Sequence, residues 1–112
     1  MKICFLGCGN IAQAIIDGLL KSGISSSDIA CIERNEQRVE SLRMQNLQII
    51  ALENLASIDF DLIILAVKPK DALKAEKSIC KIAPKVAILS VVAGIGIAKY
   101  SQSNTIIRAM PN

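Results

Sequence analysis

Histidine and tryptophan are absent from these 112 residues, and aromatics amount to one Tyr and two Phe. Four cysteines are present, Cys4, Cys8, Cys31 and Cys80, and no two have CxxC spacing. A zinc site therefore lacks its usual ligand set, and no metal is expected. The 13 basic and 10 acidic residues leave a net charge of only +3, spread along the chain. No basic run carries interleaved aromatics, so nucleic acid is not an expected partner. Long apolar runs are also missing. The uncharged stretch at residues 86–98 contains Ser90, Gly94 and Gly96, whereas a spanning helix needs about 20 apolar residues. Met1-Lys2-Ile3 enters a strand-like run at once, without a leader pattern. These absences set the expectation of a cytoplasmic protein with no membrane segment and four reduced thiols. Cys4 and Cys31 are expected to be buried as small hydrophobes.

What is present is aliphatic. Hydrophobic residues make up 52% of the chain, and the core must be Ile, Leu, Val and Ala. Such a core suits a parallel sheet covered by helices. Strand-length runs alternate with helix-like segments. Strands are expected at 2–6, 29–32, 47–51, 62–67, 86–92 and 105–109. The run Leu62-Ile63-Ile64-Leu65-Ala66-Val67 has no polar alternation, as in a strand buried on both faces. Ile11, Ala14, Ile15, Gly18 and Leu19 recur at helical spacing, and that helix should end at Ser22-Gly23. A second helix is expected at 36–45 with Val39 and Leu42 inward. A third should run from an Asp71 N-cap to about Ile82. Short helical turns are expected at 53–57 and 97–101. Alternation with short links means crossover connections. The fold class is therefore α/β: a doubly wound parallel sheet of about six strands in three α/β/α layers.

The first strand runs into Gly7-Cys8-Gly9-Asn10-Ile11-Ala12, a G-x-G-x-x-A pattern that opens the first helix. In that context the pattern indicates a dinucleotide-binding turn of the Rossmann type. Gly7 would allow the tight turn, Gly9 the approach of a pyrophosphate, and Ala12 close helix–sheet packing. The phosphates would meet free N–H groups at the helix N-terminus. The second strand ends at Glu33-Arg34-Asn35. A carboxylate there suits the ribose diol of NAD, and an Arg suits the 2′-phosphate of NADP. The two signals conflict, and an ion pair between neighbours at a strand end is a third reading. Arg34, seconded by Asn35 and Arg38, tips the expectation towards NADP.

Four stretches together resemble pyrroline-5-carboxylate reductase: residues 7–12 with the helix after them, Leu65-Ala66-Val67-Lys68-Pro69, Ser90-Val91-Val92-Ala93-Gly94-Ile95, and Arg108-Ala109-Met110-Pro111-Asn112. The resemblance implies an NAD(P)H-dependent oxidoreductase that reduces 1-pyrroline-5-carboxylate to proline, the last step of proline biosynthesis. It implies phosphates beside Asn10, Ile11 and Ala12, and the adenosine end near Arg34, Asn35 and Asn54. Ala66, Val67, Lys68 and Pro69 would wall the cofactor. Ala93, Gly94, Met110, Pro111 and Asn112 would lie at the nicotinamide. Members of the family continue into a helical domain that makes the dimer and most of the imino-acid site. The expectation is thus a cofactor domain, residues 1–112, cut from a larger protein or encoded by a short gene.

No catalytic residue is named, because the chain has no His and no carboxylate in an obvious cleft position. Two alternatives stand beside the enzyme reading. One is a nucleotide-binding module without catalysis. The other is a related reductase, such as a coenzyme F420-dependent NADP oxidoreductase or a 3-hydroxyacid dehydrogenase; the Val-Lys-Pro and Met-Pro-Asn stretches argue against it. A mean hydropathy of +0.44 leads to the further expectation of homo-oligomers, through Ile95, Ile97 and the strand near Ile106-Ile107.

Overall fold

The computed structural model describes residues 1–101 and 104–109. Six parallel strands, β1 (Ile3–Leu6), β2 (Ile29–Ile32), β3 (Gln48–Ile49), β4 (Leu62–Leu65), β5 (Ala87–Ser90) and β6 (Ile106–Arg108), lie in the order β3-β2-β1-β4-β5-β6. The chain winds outward from β1 to β3, then returns to the other side of β1 and winds outward again. The expected doubly wound sheet is present, with its switch point between β1 and β4.

Alternation along each strand sorts side chains to two faces. Ile3 and Phe5 pack with Ala12, Ile16, Cys31 and Leu42 under α1 (Asn10–Lys21) and α2 (Glu36–Met44). Cys4 and Leu6 pack with Ile63, Leu65, Ala72 and Ile79 under α3 (Pro69–Ile82). Three layers result, with every residue of β1 buried.

Several expectations need correction. α3 does not start from an Asp71 cap. Lys68 is its N-cap residue, Pro69 opens it, and the Asp71 N–H donates to Lys68 O at 2.9 Å. Proline fits the first helical position because its missing N–H has no partner there anyway. The inward face of α1 is centred on Ala12 and Ile16, both fully buried, while Ile11 is 45% exposed. Ala14 and Gly18 are exposed too. β3, β4 and β5 are shorter than their apolar runs: Ile50, Ala66 and Val91 each donate a last N–H to the neighbouring strand, to Cys31 O, Leu6 O and Leu65 O, before the chain leaves the sheet. α1 ends as expected, with Ser22 as its C-cap and Gly23 at φ 101. Among the described residues, no helix is long and apolar enough to cross a membrane.

Candidate functional site

Strand register places Leu6, Ile32, Leu65 and Ser90 in one row across β1, β2, β4 and β5. The next residue of each strand therefore forms a common rim: Gly7, Glu33, Ala66 and Val91. The row is tied by Gly7 N to Ile32 O at 3.0 Å, Ala66 N to Leu6 O at 2.9 Å and Val91 N to Leu65 O at 3.0 Å. In an open α/β sheet this is the edge where ligands bind.

Gly7 sits at the centre of the rim with φ 86, and a Cβ there would lie 2.8 Å from Ala66 O and 2.9 Å from Val67 N. Only glycine fits, on grounds of both conformation and space. The glycine turn and the Ala66-Val67 stretch are therefore built against each other. Gly9 is different: a Cβ there would meet nothing nearer than the Arg38 guanidinium at 3.9 Å. Its lack of a side chain leaves backbone open rather than packed. Ala12 is fully buried under α1.

α1 begins at this turn with Gly9 as its N-cap, no side-chain cap and no acidic residue in its first turn. Its free N–H groups and positive dipole end are left for an anion. α2 contrasts with it: Asn35 Oδ1 accepts the Arg38 N–H at 3.0 Å, and Glu36 stands in the first turn.

Glu33 is already engaged. Its Oε1 accepts the Cys8 N–H at 2.9 Å, and its Oε2 accepts the N–H groups of Arg34 and Asn35, each at 2.9 Å. Its cationic partner is Arg38, with Nη1 3.8 Å from Oε1. The alternative reading, an ion pair between Glu33 and the neighbouring Arg34 side chain, is not what forms; Arg34 contributes its backbone N–H instead. Burial opposes ionisation of Glu33, but the N–H groups of Asn35, Cys8 and Arg34 and the charge of Arg38 outweigh it and hold the carboxyl below its ordinary range. The strand-end acid thus braces the glycine turn.

The thiols beneath are inert. The hydrogen bond to Cys31, together with burial, raises the Cys8 thiol. Burial first, then Cys31, pushes Cys4 up to about 12. All four cysteines are free, and none of these two can form a thiolate at neutral pH.

Ala66 and Val67 are half-buried, and Lys68 and Pro69 are exposed at the start of α3. Asn10 and Ile11 are exposed at the start of α1. Ala93 and Gly94 form an exposed turn beyond β5, with Gly94 at φ 77 and open space where a Cβ would lie. Asn54 is exposed on a 3-10 turn after β3, and among the described residues it makes no side-chain hydrogen bond to the Glu33 corner. Met110, Pro111 and Asn112 lie outside the described residues. Ile97 and Ile107 are 40% and 52% exposed, while Ile95 and Ile106 pack partly against the core.

Sequence reading gave Arg38 only a supporting part. The signal that could have found it is helical spacing: Asn35 as a cap places residue 38 in the first turn of α2, beside the glycine turn. Glu76, fully buried on α3, was not anticipated at all.

A parallel sheet wound both ways from a glycine turn at its switch point defines a Rossmann-type nucleotide-binding domain. Within that class the chain belongs to the family described as "NADP oxidoreductase coenzyme F420-dependent", whose model matches residues 2–94. Over its whole length it is similar to proteins of the name expected from the sequence. It is 36% identical over 119 residues to pyrroline-5-carboxylate reductase 1 of Bacillus subtilis, covering 99% of this chain and 40% of that protein. Among solved structures, the pyrroline-5-carboxylate reductase of Coxiella burnetii matches with a TM-score of 0.87 at 24% identity, over 99% of this chain and 44% of that one. The Plasmodium falciparum pyrroline carboxylate reductase, solved with NADP bound, matches with a TM-score of 0.81 at 24% identity, over 100% of this chain and 42% of that one. At that identity the structural matches speak for the fold. The chain spans about 40% of the length of the curated relatives it matches.

Proposed function

We propose that residues 1–112 are the cofactor-binding domain of an NAD(P)H-dependent reductase that converts 1-pyrroline-5-carboxylate to proline. The supporting observation is the common rim of Gly7, Glu33, Ala66 and Val91, centred on a glycine that touches the neighbouring strand end. The residues fit a dinucleotide: an open Gly9 backbone, an uncapped α1 N-terminus, and a guanidinium beside it. Asn10, Ile11 and Ala12 would hold the pyrophosphate by backbone N–H groups. Glu33, Arg34, Asn35, Arg38 and Asn54 would face the adenosine half. Ala66, Val67, Lys68 and Pro69 would flank the middle, and Ala93 and Gly94, with Met110, Pro111 and Asn112, the nicotinamide. When bound, the cofactor supplies hydride chemistry; this chain's residues orient it and keep its reacting end at the β5 side.

NADP remains favoured over NAD. Glu33 spends its acceptor capacity on three backbone N–H groups, so less of it is left for a ribose diol, and Arg38 stands nearby for a 2′-phosphate. The reading also includes a cytoplasmic location, a place in proline biosynthesis, and action as a homo-oligomer with exposed Ile97 and Ile107 at a contact.

Calorimetric titration with NADPH and with NADH tests the site, followed by an assay of pyrroline-5-carboxylate reduction. Saturable binding of either nucleotide, tighter for NADPH, is expected. Binding without turnover would favour a nucleotide-binding module that lacks a catalytic half. Failure to bind either nucleotide would overturn the cofactor assignment and leave the fold intact.

A further inference from the structure

The connection from β5 to β6 carries the exposed Ala93–Gly94 turn, and side chains fasten it on both sides. On the near side, Val91 and Val92 are buried, and the Val92 N–H donates to Ser90 Oγ at 3.4 Å. On the far side three fastenings follow in succession. Tyr100 is buried and its hydroxyl lies 2.8 Å from Ser90 Oγ. Ser101 reaches Glu76: its N–H donates to Oε1 at 2.9 Å and its hydroxyl to Oε2 at 2.5 Å. Asn104 Nδ2 donates to Ala83 O at 2.8 Å and Val86 O at 2.6 Å.

Glu76 stands out among these. It is a carboxylate with no exposed surface, in a helix that otherwise buries Ala72 and Ile79. Burial works against its charge, yet the hydrogen bonds from Cys80 and Ser101 prevail and keep its carboxyl below the ordinary range. Its third donor, Cys80 Sγ at 2.8 Å, comes from one turn along the same helix. A buried charge is costly unless fully hydrogen-bonded, and an apolar residue would fill the same space more cheaply. What an apolar residue could not do is hold the main chain of Ser101 at one height.

We propose that Glu76 is a positioning residue for the nicotinamide half of the cofactor: by fixing Ser101 to α3 it sets the height of the Ala93–Gly94 turn on the rim. The inference rests on the cofactor reading above. The Glu33–Arg38 corner lies on the other side of β1 from this cluster, so the two halves of the ligand report separately.

The test compares NADPH and NADH with ADP-ribose, which lacks the nicotinamide, on the wild-type chain, Glu76→Gln and Ser101→Ala. Glu76→Gln keeps the volume but presents an NH2 group where two donors converge. Ser101→Ala changes an exposed residue and keeps the fold accessible to measurement. The expected result is a loss of about tenfold in affinity for the reduced nucleotides in Glu76→Gln, the size of one net hydrogen bond, and a smaller loss in Ser101→Ala. Nicotinamide fluorescence of the bound complex should shift, with ADP-ribose affinity unchanged. Equal losses for all three ligands, or no loss for any, would overturn the positioning role. A wild-type chain that binds none of them would instead overturn the cofactor reading itself.

Discussion

The glycine corner and the Ala93–Gly94 turn stand on the same rim and are built in opposite ways. At the corner the main chain is held by close contact and by a carboxylate lying over it. Gly7 has no room for one more carbon, and Glu33 gathers three N–H groups from two segments. At the far turn no described residue beyond its chain neighbours comes within 4 Å of where a Cβ on Gly94 would lie, and the fastening comes from below, through Ser90–Tyr100 and Glu76–Ser101. Both glycines have positive φ. The same residue type thus serves close approach in one place and conformation alone in the other.

Substituting the two glycines breaks this comparison most directly. Gly7→Ala should lose about 3 kcal/mol or more, combining roughly 1–2 for a left-handed side chain with roughly 1–3 for overpacking. A urea midpoint within error of wild type would sink the claim of close approach. Acid comes next. Glu33 and Glu76 both sit below their ordinary value of 4.5 in the folded chain, so the unfolded chain binds more protons as pH falls. Their stabilisation is complete above that value and is lost as pH drops through the lower folded values. Unfolding midpoints followed from neutral pH downward should fall more gently in Glu76→Gln than in wild type; parallel curves would remove Glu76 from the acid response. Gly94→Ala should cost only about 1–2 kcal/mol, for the backbone alone, and a loss as large as at Gly7 would show crowding there. The smallest change is Arg38→Ala, below about 0.5 kcal/mol, because its ion pair with Glu33 is long and half exposed. Its effect should appear in NADPH affinity, and a variant binding NADPH as wild type does would remove Arg38 from the site.

Much of the fold is legible in the sequence, since a strand buried on both faces carries its own signature. The run from Leu62 to Val67 announces β4, and the glycine pattern after Leu6 marks the strand-to-helix turn. Strand ends are less legible, because Ala66-Val67 and Val91-Val92 are as apolar as the ladder residues they follow. Their exit is dictated by neighbouring strands. The face of α1 was misplaced because Ile11 is apolar yet points away from the sheet, leaving Ala12 and Ile16 to pack. Long-range polar contacts are least legible. Nothing in the local sequence of Glu33 foretells the Cys8 N–H 25 positions away. Glu76, in a lysine-rich helix, looks like any solvated charge until Ser101 comes down on it.

The strand order also governs where the chain tolerates damage. β1 pairs with both β2 and β4, so it alone joins the two wings of the sheet. Losing the residues of β1 would sever two ladders at the centre of the sheet. Losing β6 would remove a single ladder from an edge. Disruption of β1 and of β6 is therefore not equivalent: β1 is the keystone of the described sheet, and β6 is a fringe at its edge.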